Sequence, residues 1–176
     1  MTITLSPIGT VKNSRPLVED DNWGAIVSVI ELNSSFTEEA LVQIENFSHA
    51  EIIYYFHLVA DSKIETGARH PRDNKDWSKA GIFAQRGKNR PNRLGATIVK
   101  IIRREGTQLF VQGLDAVDGT PVLDIKPVMK EFLPREEVSQ PDWATDLMKN
   151  YWQLQTPHFK RDSLPNEHLR PNHFHP

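Results

Sequence analysis

The chain has no cysteine among its 176 residues. Disulfides, thiolate zinc sites and a cysteine nucleophile are excluded together. It has no apolar window approaching the roughly 20 residues of a membrane span. Its opening, MTITLSPIGTV, has neither the basic stretch nor the long apolar run of a secretory signal. A cytoplasmic protein without membrane attachment is the expectation. Several chemical signatures are missing as well. No GxGxxG opens a helix, no GxxxxGKS or GxxxxGKT occurs, and there is no GxSxG elbow and no HExxH pair. A Rossmann-type nucleotide site is therefore not expected, and any cofactor would sit in loops of a β structure. The net charge of −2 shows no overall bias toward polyanions, so the placement of charge carries the information.

What is present reads as one domain, long enough to bury a core. Ile3–Val11 predicts a short strand interrupted by Pro7 and Gly9, and the polar stretch Asn13–Gly24 follows, with Trp23 as an anchor or pocket residue. Ala25–Leu32 is β-branched and predicts a strand. Ser35 and Glu38 fit a capping box, and Ala40, Leu41, Ile44 and Phe47 recur at helical spacing, so a helix is expected over Phe36–Asn46. Glu51–Ala60 (EIIYYFHLVA) predicts a central strand buried on both faces, and Asp61–Lys79 a long loop. Leu94–Arg104 and Gln108–Leu114 flank Glu105-Gly106-Thr107, a hairpin signal. Val122–Ile125 is a last strand, with Asp124 and Lys126 expected to share a face and pair. Short strands with tight turns predict a mainly β fold, a barrel or sandwich with a few peripheral α-helices.

Beyond this domain, taken as residues 1–135, Ser139–Asp142 starts a helix. Its stripe of Trp143, Leu147, Tyr151 and Leu154 must pack on the barrel or on a partner. Residues 155–176 form a polar tail rich in proline and histidine. His158, His168, His173 and His175 lie in it at spacings that match no zinc pattern, and no metal site is expected.

Two loops carry the chemistry. Gly81–Gly95 (GIFAQRGKNRPNRLG) holds Arg86, Lys88, Arg90 and Arg93 and no acid. Arginine forks suit carboxylate or phosphate, and the glycines and Pro91 shape a backbone whose N–H groups can cup an anion. A solvated basic loop that only needs those turns fits the composition equally well. Gly113–Pro127 (GLDAVDGTPVLDIKP) places Asp115 and Asp118 before a turn at Asp118-Gly119. A carboxylate for ribose hydroxyls or an ammonium, and a plain Asx-capped turn, both remain open.

These two blocks, with PIGTV (Pro7–Val11) and FSHAEIIYYFH (Phe47–His57), resemble the TsaA-like family, also called TrmO or YaeB. The blocks occur in the family's order over Ile3–Pro127 and look like its GVFATRSPxRPNPIG and LDxxDGTPVLDIKPY patterns. The resemblance implies a small β-barrel methyltransferase that uses S-adenosylmethionine. It implies a homodimer with the site near the interface, and N6-methylation of threonylcarbamoyladenosine in the anticodon loop of tRNA. Carried over by residue, it implies cofactor contacts at His57, Leu58, Arg86, Leu114, Asp115, Ala116 and Val117, with Arg90 and Asn92 completing the pocket. Asp118 is the candidate for positioning or deprotonating the accepting nitrogen. Methylation of a small molecule, and a non-catalytic adenosine-ligand or RNA-binding module, are the alternative readings.

Overall fold

Six strands close into an antiparallel barrel in the computed structural model, which describes residues 2–153. They are β1 (Gly9–Lys12), β2 (Val27–Leu32), β3 (His49–Tyr55), β6 (Leu94–Glu105), β7 (Gln108–Gln112) and β8 (Pro121–Pro127). Around the barrel they run β1-β2-β7-β6-β3-β8, and β8 returns to β1. The two-residue strands β4 (Ala68–Arg69) and β5 (Ala80–Gly81) pair separately. Of the mainly β barrel or sandwich that the strand pattern predicts, the fold is the barrel, as the family resemblance implies.

Alternation on the strands decides what lies inside. Val11, Ile30, Ala50, Ile52, Tyr54, Val99, Leu109, Val111 and Val122 point inward and are buried. Their outward neighbours on β6, Ile98 and Lys100, are exposed. Closure gives every strand a neighbour on both sides, with β1 and β8 meeting at two positions, Gly9–Val122 and Thr10–Pro121. The β6–β7 hairpin turns through Gly106-Thr107, because Glu105 pairs with Gln108 and Gly106 holds φ +57°.

Several elements differ from expectation. β1 begins at Gly9, and Ile3 and Leu5 before it are exposed. Pro7 has no N–H to give a ladder, although Ile8 donates to Val122 O at 2.8 Å. β3 ends at Tyr55 and is buried on one face; Glu51, Ile53 and Tyr55 face outward and are half-buried. The expected helix over Phe36–Asn46 is two 3-10 turns, Glu38–Leu41 and Ile44–Asn46. Gln43 between them is left-handed (φ +70°), and neither turn has a side-chain cap. A lone short helix gains little in water. Leu41 is buried in the core, with Ile44 and Phe47 packed against it. The long loop Asp61–Lys79 contains β4 and short turns. Asp124 and Lys126 do pair on β8, at 2.5 Å, and that hydrogen bond raises the lysine pKa.

Past the barrel, α1 (Asp142–Met148) is followed by a turn at Tyr151-Trp152. This segment returns to the barrel mouth: Asn22 N–H donates to Asn150 O (3.2 Å) and Trp23 N–H to Tyr151 O (2.8 Å). Leu154 and residues 155–176, with their four histidines, lie outside the described residues.

Gly95 on β6 has a specific reason to be glycine. It pairs with Tyr54, and a Cβ there would overlap the Tyr54 ring. Gly95→Ala is expected to cost about 1–3 kcal/mol of stability by overpacking, read as a lower denaturation midpoint with an unchanged m-value.

Candidate functional site

A cleft of about 1470 Å³ opens at one mouth of the barrel. Its floor is the outer part of β3 and β6 and the segment Asp115–Val117. Its sides are the loops at Val18–Trp23, His57–Val59 and Ile82–Asn92, and the face of α1 that carries Trp143 and Leu147.

The segment that carries Asp115 is fixed from below. Asn13 Nδ2 donates to Ala116 O (2.8 Å) and to the buried Ser28 Oγ (2.9 Å). Asn13 N–H donates to Asp118 Oδ1 at 3.1 Å, and Asp118 N–H donates to Arg15 O at 2.8 Å. Gly119, at φ +79°, closes the turn from Val117 to Thr120, at the position where a left-handed residue is required.

Asp115 then gathers three hydroxyls. Oδ1 accepts from Tyr54 OH (2.8 Å) and from Thr97 Oγ1, and Oδ2 accepts from Tyr151 OH. Burial, with the Asp115 charge beside them, raises the pKa of both phenols well above the ordinary tyrosine value of 10.0.

Charge on the cleft walls is largely paired. Arg15 is buried, lies over the Trp23 ring at 4.1 Å, and donates to Glu19 and to the Asp21 and Asn22 carbonyls. Arg72 grips Asp21 at 2.7 Å, and Lys88 reaches Asp20 at 3.7 Å. Arg93 binds Asp61 at 2.9 Å and Val59 O at 2.8 Å. Of the four cations of the Gly81–Gly95 loop, Arg86 and Arg90 alone have no carboxylate partner among the described residues. Each is held instead by a carbonyl: Arg86 by Ala96 O, and Arg90 by Gln85 O at 3.2 Å.

The structure thus brings His57, Leu58, Arg86, Arg90, Asn92, Asp115, Ala116 and Val117 to one cleft. Leu114 and Asp118 are placed differently. Leu114 is fully buried in the core, and the Asp118 carboxylate is engaged by Asn13 rather than lining the cleft. Sequence reasoning missed Tyr54, Thr97 and Arg72. The inward alternation of β3 and β6 is the available signal for the first two, because a hydroxyl pointing into a core needs a partner. Among the described residues no group of three side chains has metal-binding geometry, and no helix is long and apolar enough to cross a membrane.

A closed barrel with a loop-built cleft at its mouth is a β domain of non-Rossmann type. Residues 19–132 match the family model described as the tRNA-methyltransferase O N-terminal domain, and the chain belongs to that family. It is 36% identical over 113 residues to the tRNA (adenine(37)-N6)-methyltransferase of Homo sapiens, covering 64% of this chain and 25% of that protein. It is 39% identical over 113 residues to a probable S-adenosyl-L-methionine-binding protein of Pyrococcus abyssi, covering 64% and 58%. A crystal structure of TrmO from Pseudomonas aeruginosa superposes with a TM-score of 0.63 at 29% identity, covering 80% of this chain and 61% of that one. The chain therefore spans between 25% and 61% of the length of these relatives.

The raised phenol pKa values have a signed consequence. A folded pKa above the unfolded one leaves stability untouched below the ordinary value of 10.0 and lowers it as pH rises beyond. The expected loss is about 1.4 kcal/mol per pH unit for each phenol. Tyr151→Phe is expected to make this alkaline fall shallower, measured by urea melts across the range. At neutral pH the same variant is expected to lose about 1–3 kcal/mol with the hydrogen bond to Asp115.

Proposed function

We propose that this chain is a methyltransferase that uses S-adenosylmethionine, bound in the barrel-mouth cleft, and that its acceptor is N6 of threonylcarbamoyladenosine in the anticodon loop of tRNA. The observation that carries the reading is the convergence of separate segments (His57–Leu58, Arg86, Arg90–Asn92 and Asp115–Val117) on one cleft. Their chemistry fits such a cofactor. Arg86 and Arg90 offer forks to a carboxylate, and they are the two loop cations with no acid partner among the described residues. Backbone groups at His57–Leu58 and Ala116–Val117 suit an adenine edge, and Asp115 suits a hydroxyl or ammonium donor. Leu114 contributes through its backbone only, its side chain being in the core.

When bound, S-adenosylmethionine supplies a methyl group already activated on a sulfonium. The protein's share is then mainly alignment and exclusion of water. Asp118 serves this by position: its carboxylate holds Asn13, and Asn13 holds the Ala116 carbonyl. A homodimer in the cytoplasm, with the site near the subunit interface, belongs to the same reading. The exposed Leu58, Phe83 and Ile98 on the cleft lining support a covering partner.

Calorimetric titration with S-adenosylmethionine is expected to saturate, and absence of heat at millimolar ligand overturns the cofactor assignment. Arg86→Ala is expected to weaken binding by about 1.5–3 kcal/mol, the range for a hydrogen bond to a charged group. Nucleoside mass spectrometry of tRNA from a knockout is expected to show loss of N6-methyl-threonylcarbamoyladenosine. Labelled methyl appearing in a metabolite extract, and not in tRNA, would assign a small-molecule acceptor instead.

A further inference from the structure

We propose that the segment Asp142–Trp152 forms the acceptor-side wall of the cleft, and that Trp143 is a specificity-determining residue whose indole takes a planar base. The proposal rests on the methyltransferase reading above.

The first argument is room. Sites for one small ligand commonly occupy about 300–1,000 Å³, and this cleft is about 1470 Å³. Space remains beside a cofactor for a second ligand. The second argument is origin. Every residue assigned to the cofactor falls within residues 19–132, the part matched to the family, while α1 lies beyond it. The wall that α1 provides therefore lies outside the matched part, and its segment meets the cofactor residues through the Tyr151 hydroxyl on Asp115.

The third argument is which aromatic rings are available. Trp23 is covered by the Arg15 guanidinium, Tyr54 and Phe56 contact edge-to-face at 5.3 Å, and Tyr151 and Trp152 do so at 4.8 Å. Phe83 and Trp143 are the cleft-lining rings with no ring or guanidinium partner among the described residues. Phe83 is 79% exposed on a short turn. Trp143 is half-buried on α1, and its segment is tied down at three points: Asn150 O to Asn22, Tyr151 O to Trp23, and Tyr151 OH to Asp115. A stacking platform must be held in place before its partner arrives, or ordering it consumes the binding gain. The Phe83 turn is itself anchored, by Ile82 N–H to Gly67 O at 2.9 Å, so exposure of the ring decides between them: Trp143 is half-buried before a partner arrives and Phe83 is not. Base–aromatic stacking also suits an acceptor in a loop whose bases are unpaired.

The test uses the full chain with Trp143→Leu, which keeps apolar packing, and Trp143→Phe, which keeps a ring. Two quantities are read: the affinity for S-adenosylhomocysteine by calorimetry, and KM for tRNA purified from a strain lacking the enzyme. Trp143→Leu is expected to raise KM about tenfold or more, as loss of one stacked base implies. Trp143→Phe is expected to recover most of this, and both variants to keep the wild-type affinity for S-adenosylhomocysteine. Wild-type KM in Trp143→Leu overturns the stacking role and leaves the methyltransferase reading intact. Weakened S-adenosylhomocysteine binding in that variant moves Trp143 to the cofactor side and overturns the acceptor assignment. A wild-type protein that binds S-adenosylhomocysteine but transfers no methyl to tRNA overturns the tRNA reading, and this proposal with it.

Discussion

One carboxylate organises this molecule. Asp115 accepts hydroxyls from Tyr54 on β3, from Thr97 on β6 and from Tyr151 beyond α1. Two of these donors belong to the barrel wall, and the third is the side-chain hydrogen bond that, among the described residues, ties the C-terminal segment to the cleft floor. A half-buried acid would ordinarily be a liability, because an unpartnered charge away from water is costly. With three donors it becomes the point where the barrel, the loop and the added helix are referred to one another. The seat of Tyr151 on the barrel then follows from a local requirement, that Asp115 be satisfied.

The barrel contributes its shape to this arrangement through close fit. Gly95 allows β6 to pass against the Tyr54 ring, which in turn aims the phenol at Asp115. Beneath, Asn13 links β2, the Ala116 carbonyl and the Asp118 turn. The acidic run Glu19–Asp21 is drawn in by Arg15, Arg72 and Lys88. Cations that look available in the sequence are thereby spent inside the structure. Of the Gly81–Gly95 cations, Arg86 and Arg90 are the two without a carboxylate partner among the described residues.

Much of this was legible before any coordinates. Short β-branched runs with tight turns specified a β architecture, and Glu105-Gly106-Thr107 and Asp118-Gly119 marked real turns. The family blocks picked out segments that meet in space. What sequence did not show is instructive. The helical spacing at Ala40–Phe47 was genuine, but Gln43 adopts a left-handed backbone that its side chain does not advertise. EIIYYFHLVA hid a one-sided strand because two of its outward residues, Ile53 and Tyr55, are also apolar or aromatic. The donors to Asp115 lie 61, 18 and 36 residues away from it. No local pattern encodes a contact of that kind. The roles of Asp115 and Asp118 were thus read by likeness, and only geometry separates the acid that faces the cleft from the one that braces it.

Gly24 gives this architecture an unexpected point of control. It lines no part of the cleft, yet a Cβ there would overlap the Trp152 carbonyl oxygen. Any side chain at that position acts as a wedge between the barrel mouth and the returning C-terminal segment. The close seat of the C-terminal segment on the barrel mouth thus depends on the absence of a single methyl group.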